Sequence, residues 1–98
     1  VADLRFEWSP GKSAVNRRKH GVSFEEAEGV FYDDHALLIG DPDHSDDEDR
    51  FVLLGLSSMS RALVVCHCYR DRDEVIRIIS ARKANRSERN QYDRRWRR

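Results

Sequence analysis

The chain has 98 residues, 39% hydrophobic and 37% charged, and its 18 basic side chains balance 18 acidic ones to a formal net charge of zero. That length and composition predict one domain, residues 1–98, with a modest core. No apolar run approaches the roughly 20 residues of a membrane span and the N-terminal VADLRFEW lacks a secretory apolar stretch, which excludes a membrane protein and predicts a soluble, cytoplasmic one.

In chain order, the alternating segment Leu4 to Trp8 predicts a first strand. Ser9 and Pro10 then open a helix, the serine as N-cap and the proline in the first turn where its missing N–H costs nothing. That helix is expected to run to His20 and stop at Gly21. Ser23-Phe24-Glu25-Glu26 has the form of a capping box and opens a second helix, with Phe24, Ala27, Val30 and Phe31 on its core face. From Ala36 the period changes to that of strands. ALLIG, RFVLLGLS, ALVVCHCYR and EVIRIIS are separated by DPDHSDDED, SSMSR and DRD, connections too short for parallel crossovers. After Ser80 the pattern is helical to the end, with Ala84, Glu88, Tyr92 and Trp96 along one stripe. The order β-α-α-β-β-β-β-α predicts an α+β fold, an antiparallel sheet with helices packed on one face.

The zero net charge hides an asymmetry. Residues 1–60 carry six Lys and Arg against thirteen Asp and Glu, whereas residues 61–98 carry twelve against five. A basic half built on strands suits a polyanion, and nucleic acid is the first partner to consider. Alternation within ALVVCHCYR puts His67 and Tyr69 on one face and Cys66 and Cys68 on the other. If the cysteines pack under the helices with Ile76 and Ile78, then His67, Tyr69 and Arg77 meet on the open face. An imidazole, a phenol and a guanidinium together suit phosphodiester chemistry: proton transfer, base stacking and bidentate phosphate binding. The alternative is a ligand-free cross-strand cluster. A second cationic group, Arg17-Arg18-Lys19-His20, ends the first helix, where the macrodipole alone would favour it. Lys19 and His20 are its functional candidates.

Cys66 and Cys68 read as small buried hydrophobes, although a metal pair completed by His67 and His44 is the other possibility. Asp41, Asp43, His44, Asp46, Asp47 and Glu48 lack the glycine and terminal glutamate of a calcium loop, so they read as a solvated loop or a lip for a basic partner. No metal and no cofactor is expected.

Three stretches taken together, FEWSPGKSAVNRRKHGVSFEEAEGVF, DHSDDEDRFVLLGLS and RIISARKANRSERNQY, resemble the BrnT toxins of bacterial type II toxin–antitoxin systems, from Phe6 to Tyr92. The resemblance implies a fold similar to the RelE group and a ribonuclease that arrests translation and growth. It also implies a BrnA-like ribbon-helix-helix antitoxin that pairs two toxin chains and, with them, represses operator DNA. The family's basic and aromatic positions fall on Lys19, His20, Arg50, Arg70, Arg77, Arg82, Lys83 and Tyr92. Without a metal, cleavage would proceed by attack of the RNA 2′-hydroxyl, leaving a 2′,3′-cyclic phosphate. Arg77 and Arg82 are expected to meet the phosphorane, with His20 and His67 moving protons and Lys19 or Tyr69 as substitutes. Arg50, Arg70, Lys83 and Tyr92 are expected to bind RNA. The rival function is a non-catalytic module that binds nucleic acid or protein through the basic C-terminal helix.

Overall fold

Ser9 and Gly21 bracket the first helix, α1 (Pro10–His20), as their chemistry requires in this computed structural model, which describes residues 4–40 and 50–96. The Ser9 hydroxyl accepts from the Lys12 N–H at 3.5 Å. Gly21, at φ 72°, takes the left-handed conformation and donates its N–H to the Arg17 carbonyl at 2.8 Å. Asn16 points from α1 into the protein. Its amide donates to the Val22 and Ala81 carbonyls at 2.9 and 2.8 Å, and its oxygen accepts from the Ala81 N–H at 3.2 Å.

The second helix, α2 (Phe24–Glu28), begins at Ser23, whose hydroxyl accepts from the Glu26 N–H at 3.1 Å. Only half of the expected capping box forms, because the Glu26 carboxylate turns inward. It accepts from the Ser57 hydroxyl at 2.6 Å and from Arg61 through Nε and Nη2. Those guanidinium bonds hold the buried Glu26 carboxyl below its usual range, outweighing the opposing effect of burial. After Glu28 the chain tightens into a 3-10 turn, Gly29–Tyr32. A side chain at position 29 would lie 2.5 Å from the Ser58 backbone nitrogen, which is why glycine stands there.

The remaining elements are β1 (Arg5–Glu7), β2 (Leu37–Ile39), β3 (Phe51–Leu56), β4 (Ala62–Arg70), β5 (Val75–Lys83) and α3 (Arg86–Trp96). The strands form one sheet in the order β1-β5-β4-β3-β2. β2 through β5 pair antiparallel, but β1 runs parallel to β5, so the sheet is mixed rather than antiparallel throughout. The long connection between β1 and β5 imposes no hairpin constraint on their direction. The β4–β5 hairpin turns through Asp71, Arg72 and Asp73, all at positive φ.

Helices cover both faces, not the single face expected. Phe24, Ala27 and Val30 pack with Leu63, Val65, Ile78 and Ala81 on one face. On the other, Tyr92 of α3 and Ala84 pack with Val52, Leu54 and Val64. The expected helix after Ser80 starts later because β5 extends to Lys83 and Asn85 supplies the cap. Asn85 Oδ1 accepts from the Glu88 N–H and Glu88 Oε1 from the Asn85 N–H, both at 2.8 Å, a complete capping box.

Asp33 joins the layers at the sheet edge. Its Oδ2 accepts from the Leu56 N–H at 2.8 Å and from the Tyr92 hydroxyl at 2.6 Å, while Oδ1 accepts from the His35 N–H at 2.9 Å. Burial raises this carboxyl, but those three donors and the charge of His35 more than offset it, leaving it below its usual range.

Candidate nucleic-acid interface

A β-bulge decides which side chains share the uncovered part of the sheet. Val64, Cys66 and Cys68 alternate onto one face of β4 and pair with Arg82, Ser80 and Arg77 of β5. Between Ser80 and Ile78, which pair with Cys66 and His67, Ile79 is the extra residue. The bulge therefore places Arg77 and Arg82 on one face although they are five apart. Arg70, opposite Val75, and Glu7, opposite Arg77, join the same face.

The electrostatics of this face are paired and directional. Arg77 Nη1 donates to Glu7 Oε2 at 2.7 Å, and Arg70 Nε lies 3.3 Å from the same oxygen. Farther along β5, Arg82 grips Glu88 with two parallel bonds of 2.8 and 2.9 Å. The Arg82 bonds hold the Glu88 carboxyl below its usual range against the effect of burial. With exposed Arg5 on the same side of β1, four guanidiniums face two carboxylates, which leaves the surface cationic.

The expected cluster of His67, Tyr69 and Arg77 does not form. Alternation along each strand is as expected, but the register pairs His67 with Ile78 and Tyr69 with Ile76, and puts Arg77 with Cys68 on the reverse face. His67 is fully buried among rings, its centroid 4.8 Å from Phe31, 5.4 Å from Tyr69 and 6.0 Å from Phe51. Its Nδ1 lies 3.3 Å from the Val65 carbonyl oxygen, and Nε2 has no hydrogen-bond partner among the described residues. Burial depresses its pKa, opposed by the Val65 contact, so it stays neutral inside the protein.

Lys19 and His20 end α1, which packs on the face of Val65 and Ala81, and Lys83 lies on that face beside Gly21. The sheet separates all three from Arg70, Arg77 and Arg82. Tyr92 is not an available RNA contact either: it is buried, with its hydroxyl on Asp33. Arg50 precedes β3 and is half-buried. Cys66 is buried and Cys68 half-buried. Among the described residues, no three of His, Cys, Asp and Glu come together as metal ligands, and the segment 41–49 with His44 lies outside those residues.

Two carboxylates escaped the reading of the sequence. Glu7 sits between Phe6 and Trp8, an acid in a strand whose neighbours point into the core, and that alternation is its signal. Glu88 follows Asn85 by three residues, the spacing of the capping box it forms.

A half-open sheet with guanidiniums fixed by carboxylates marks a protein that handles phosphate polyanions. The model of the ribonuclease toxin family BrnT, of type II toxin–antitoxin systems, matches residues 8–88, and the chain belongs to that family. The match spans Arg70, Arg77, Arg82 and Glu88, and Glu7 immediately precedes it. The fold is similar to the crystal structure of the Brucella abortus ribonuclease toxin BrnT, with a TM-score of 0.65 and 21% identity, over 86% of this chain and 100% of that one. No curated protein matches. Membership of a ribonuclease toxin family displaces the non-catalytic binding module as the reading of the basic C-terminal half. Among the described residues no helix is long and apolar enough to cross a membrane.

Proposed function

We propose that the chain cuts RNA on the sheet face of Glu7, Arg70, Arg77 and Arg82, without a metal, by 2′-hydroxyl attack on the adjacent phosphate. The observation that carries this is the Glu7 carboxylate oxygen shared by Arg77 and Arg70 at 2.7 and 3.3 Å. An incoming phosphate competes for both guanidiniums and leaves the carboxylate beside the 2′-hydroxyl. Glu7 takes the hydroxyl proton, the 2′ oxygen bonds to phosphorus, and the bond from phosphorus to the 5′ oxygen breaks. The products are a 2′,3′-cyclic phosphate and a 5′-hydroxyl, the leaving oxygen taking its proton from solvent. Arg77 and Arg70 meet the charge of the phosphorane, and Arg82 holds a neighbouring phosphate.

The same reading extends to the cell. The chain acts in the cytoplasm, arrests translation by RNA cleavage, and is neutralised by a BrnA-like ribbon-helix-helix antitoxin. The complex pairs two toxin chains and represses its own operator DNA. Family membership and a fold class compatible with the RelE group support this.

Cleavage of a labelled RNA in EDTA tests the chemistry. Undiminished cutting with a cyclic-phosphate end is expected. Loss in EDTA that magnesium restores would overturn the metal-free route. Arg77→Ala is expected to lower kcat about a hundredfold or more, and Glu7→Gln similarly, with smaller effects on RNA affinity. A folded Arg77→Ala or Glu7→Gln protein that cuts at the wild-type rate removes that residue from the site.

A further inference from the structure

The face that carries α1 and α2 is only half covered. Beyond Phe31 its lower part consists of rings in continuous contact. Tyr32 packs at 6.3 Å on Phe6, Phe6 at 5.3 Å on Phe31, and Phe31 at 4.8 Å on His67. Phe51 and Tyr69 continue the series, 5.3 Å apart. The inner rings are buried or half-buried, but the outer ones are not: Tyr32 is 61% exposed, Tyr69 40% and Phe51 39%. Leu38, on the same face of neighbouring β2, is 62% exposed. An apolar patch of this kind on a chain with a modest core marks an interaction site.

We infer that this patch docks a segment of the antitoxin that carries apolar side chains flanked by Lys or Arg, an inference that rests on the antitoxin reading above. Charge selects this occupant. The connection between β2 and β3, residues 41–49, has six acidic side chains and no Lys or Arg, and its ends at Gly40 and Arg50 adjoin the patch through Leu38 and Phe51. RNA phosphates would be repelled there, whereas a basic flank is attracted. A second copy of the chain is disfavoured for the same reason, since a two-fold contact would set one acidic connection against another. β2 adds a further feature: it is three residues long and ends the sheet, so its outer edge can pair with an extended segment. The patch lies on the opposite face from Glu7 and Arg77, which lets the antitoxin hold the toxin without first displacing RNA.

The test uses the full chain and the protein encoded beside it, purified together and titrated against each other. Tyr32→Ser with Leu38→Ser is expected to weaken their affinity at least a hundredfold, while RNA cleavage and melting temperature stay at wild-type values. Leu38→Lys, which places a like charge before the basic flank, is expected to weaken it further than Leu38→Ser. Hydrogen exchange on the wild-type complex supplies a measurement that needs no variant, with protection expected at residues 37–39, 51–53 and 67–70. Unchanged affinity in the double variant, or a footprint that avoids those strands, overturns the inference. So does a double variant that loses RNA affinity alone, which would make the patch a base-stacking platform. A chain that is dimeric when free and becomes monomeric in the variant, with antitoxin affinity intact, assigns the patch to a second copy and also overturns it. If the wild-type chain fails to bind the neighbouring protein at all, the antitoxin reading fails first and this inference with it.

Discussion

Tyr92→Phe separates a structural tyrosine from an RNA-binding one. The substitution deletes one oxygen from a buried side chain, 2.6 Å from Asp33 Oδ2, and leaves that carboxylate with its Leu56 and His35 backbone donors. A hydrogen bond to a charged acceptor contributes about 1.5–3 kcal/mol, so the variant should lose that much at neutral pH. For a domain of this size that is a fall in Tm on the order of 10 °C. The loss depends on pH. Asp33 has a folded pKa below its unfolded value, so its bonds stabilise above the unfolded value near ~3.9 and cease to do so as pH falls through the folded one. Losing the tyrosine donor moves the folded value back up, and in acid the gap between variant and wild type narrows toward the roughly 0.5–1.5 kcal/mol of a neutral bond. Urea denaturation in neutral and acidic buffer measures the gap, and RNA cleavage well below both melting points should be unchanged. A variant as stable as wild type, a gap independent of pH, or a folded variant that no longer cuts would each refute the reasoning.

His67 is held neutral by burial, so below about pH 6.5 the unfolded chain binds a proton that the folded chain refuses, and stability should fall as pH drops toward the folded value. His67→Phe keeps a ring among Phe31, Phe51 and Tyr69, removes the unpartnered Nε2 and should abolish that slope in urea midpoints while leaving RNA cleavage intact. Gly29→Ala should cost about 1–3 kcal/mol through its clash with the Ser58 backbone, whereas Gly40→Ala, with nothing within 4 Å of the new carbon, should be neutral by the same denaturation assay. Deleting Ile79 removes the extra residue of the bulge and should move Arg77 and Arg82 to opposite faces, abolishing cleavage while circular dichroism still reports the sheet.

Local chemistry made much of the fold legible. Ser9, Pro10 and Gly21 delimit α1, and the apolar run ALVVCHCYR coincides with β4, because caps and strand propensity act within a few residues. Packing that depends on distant partners was not legible. Neither the alternation in β4 nor that in β5 says which face of one strand meets which face of the other, and the bulge at Ile79 changes the parity midway along β5. His67 was therefore assigned to solvent and belongs to the core. The start of α3 was misread for a different reason: Ala81 and Lys83 have good helix propensity, yet pairing with Val65 and Leu63 of β4 keeps them in a strand. Arg77 survives as a site candidate, but with Glu7 as its companion instead of an imidazole.

The two carboxylates on the cationic face are held in different ways, and the difference assigns their roles in the proposed reaction. Glu88 accepts from Arg82 and also from the Asn85 backbone N–H, so it begins α3 as well as neutralising an arginine. When a phosphate takes Arg82, Glu88 keeps its backbone donor and the helix stays capped, which makes Arg82 a binding group whose release leaves the fold undisturbed. Glu7 has only side-chain partners, Arg77 and Arg70. A phosphate that recruits both guanidiniums leaves the Glu7 carboxylate without its cations at the moment a 2′-hydroxyl arrives, and a carboxylate stripped of cations is a stronger base. β1 supplies the rigidity this requires: parallel pairing sets Glu7 directly opposite Arg77, so the backbone of the sheet, not a loop, fixes the distance between base and guanidinium.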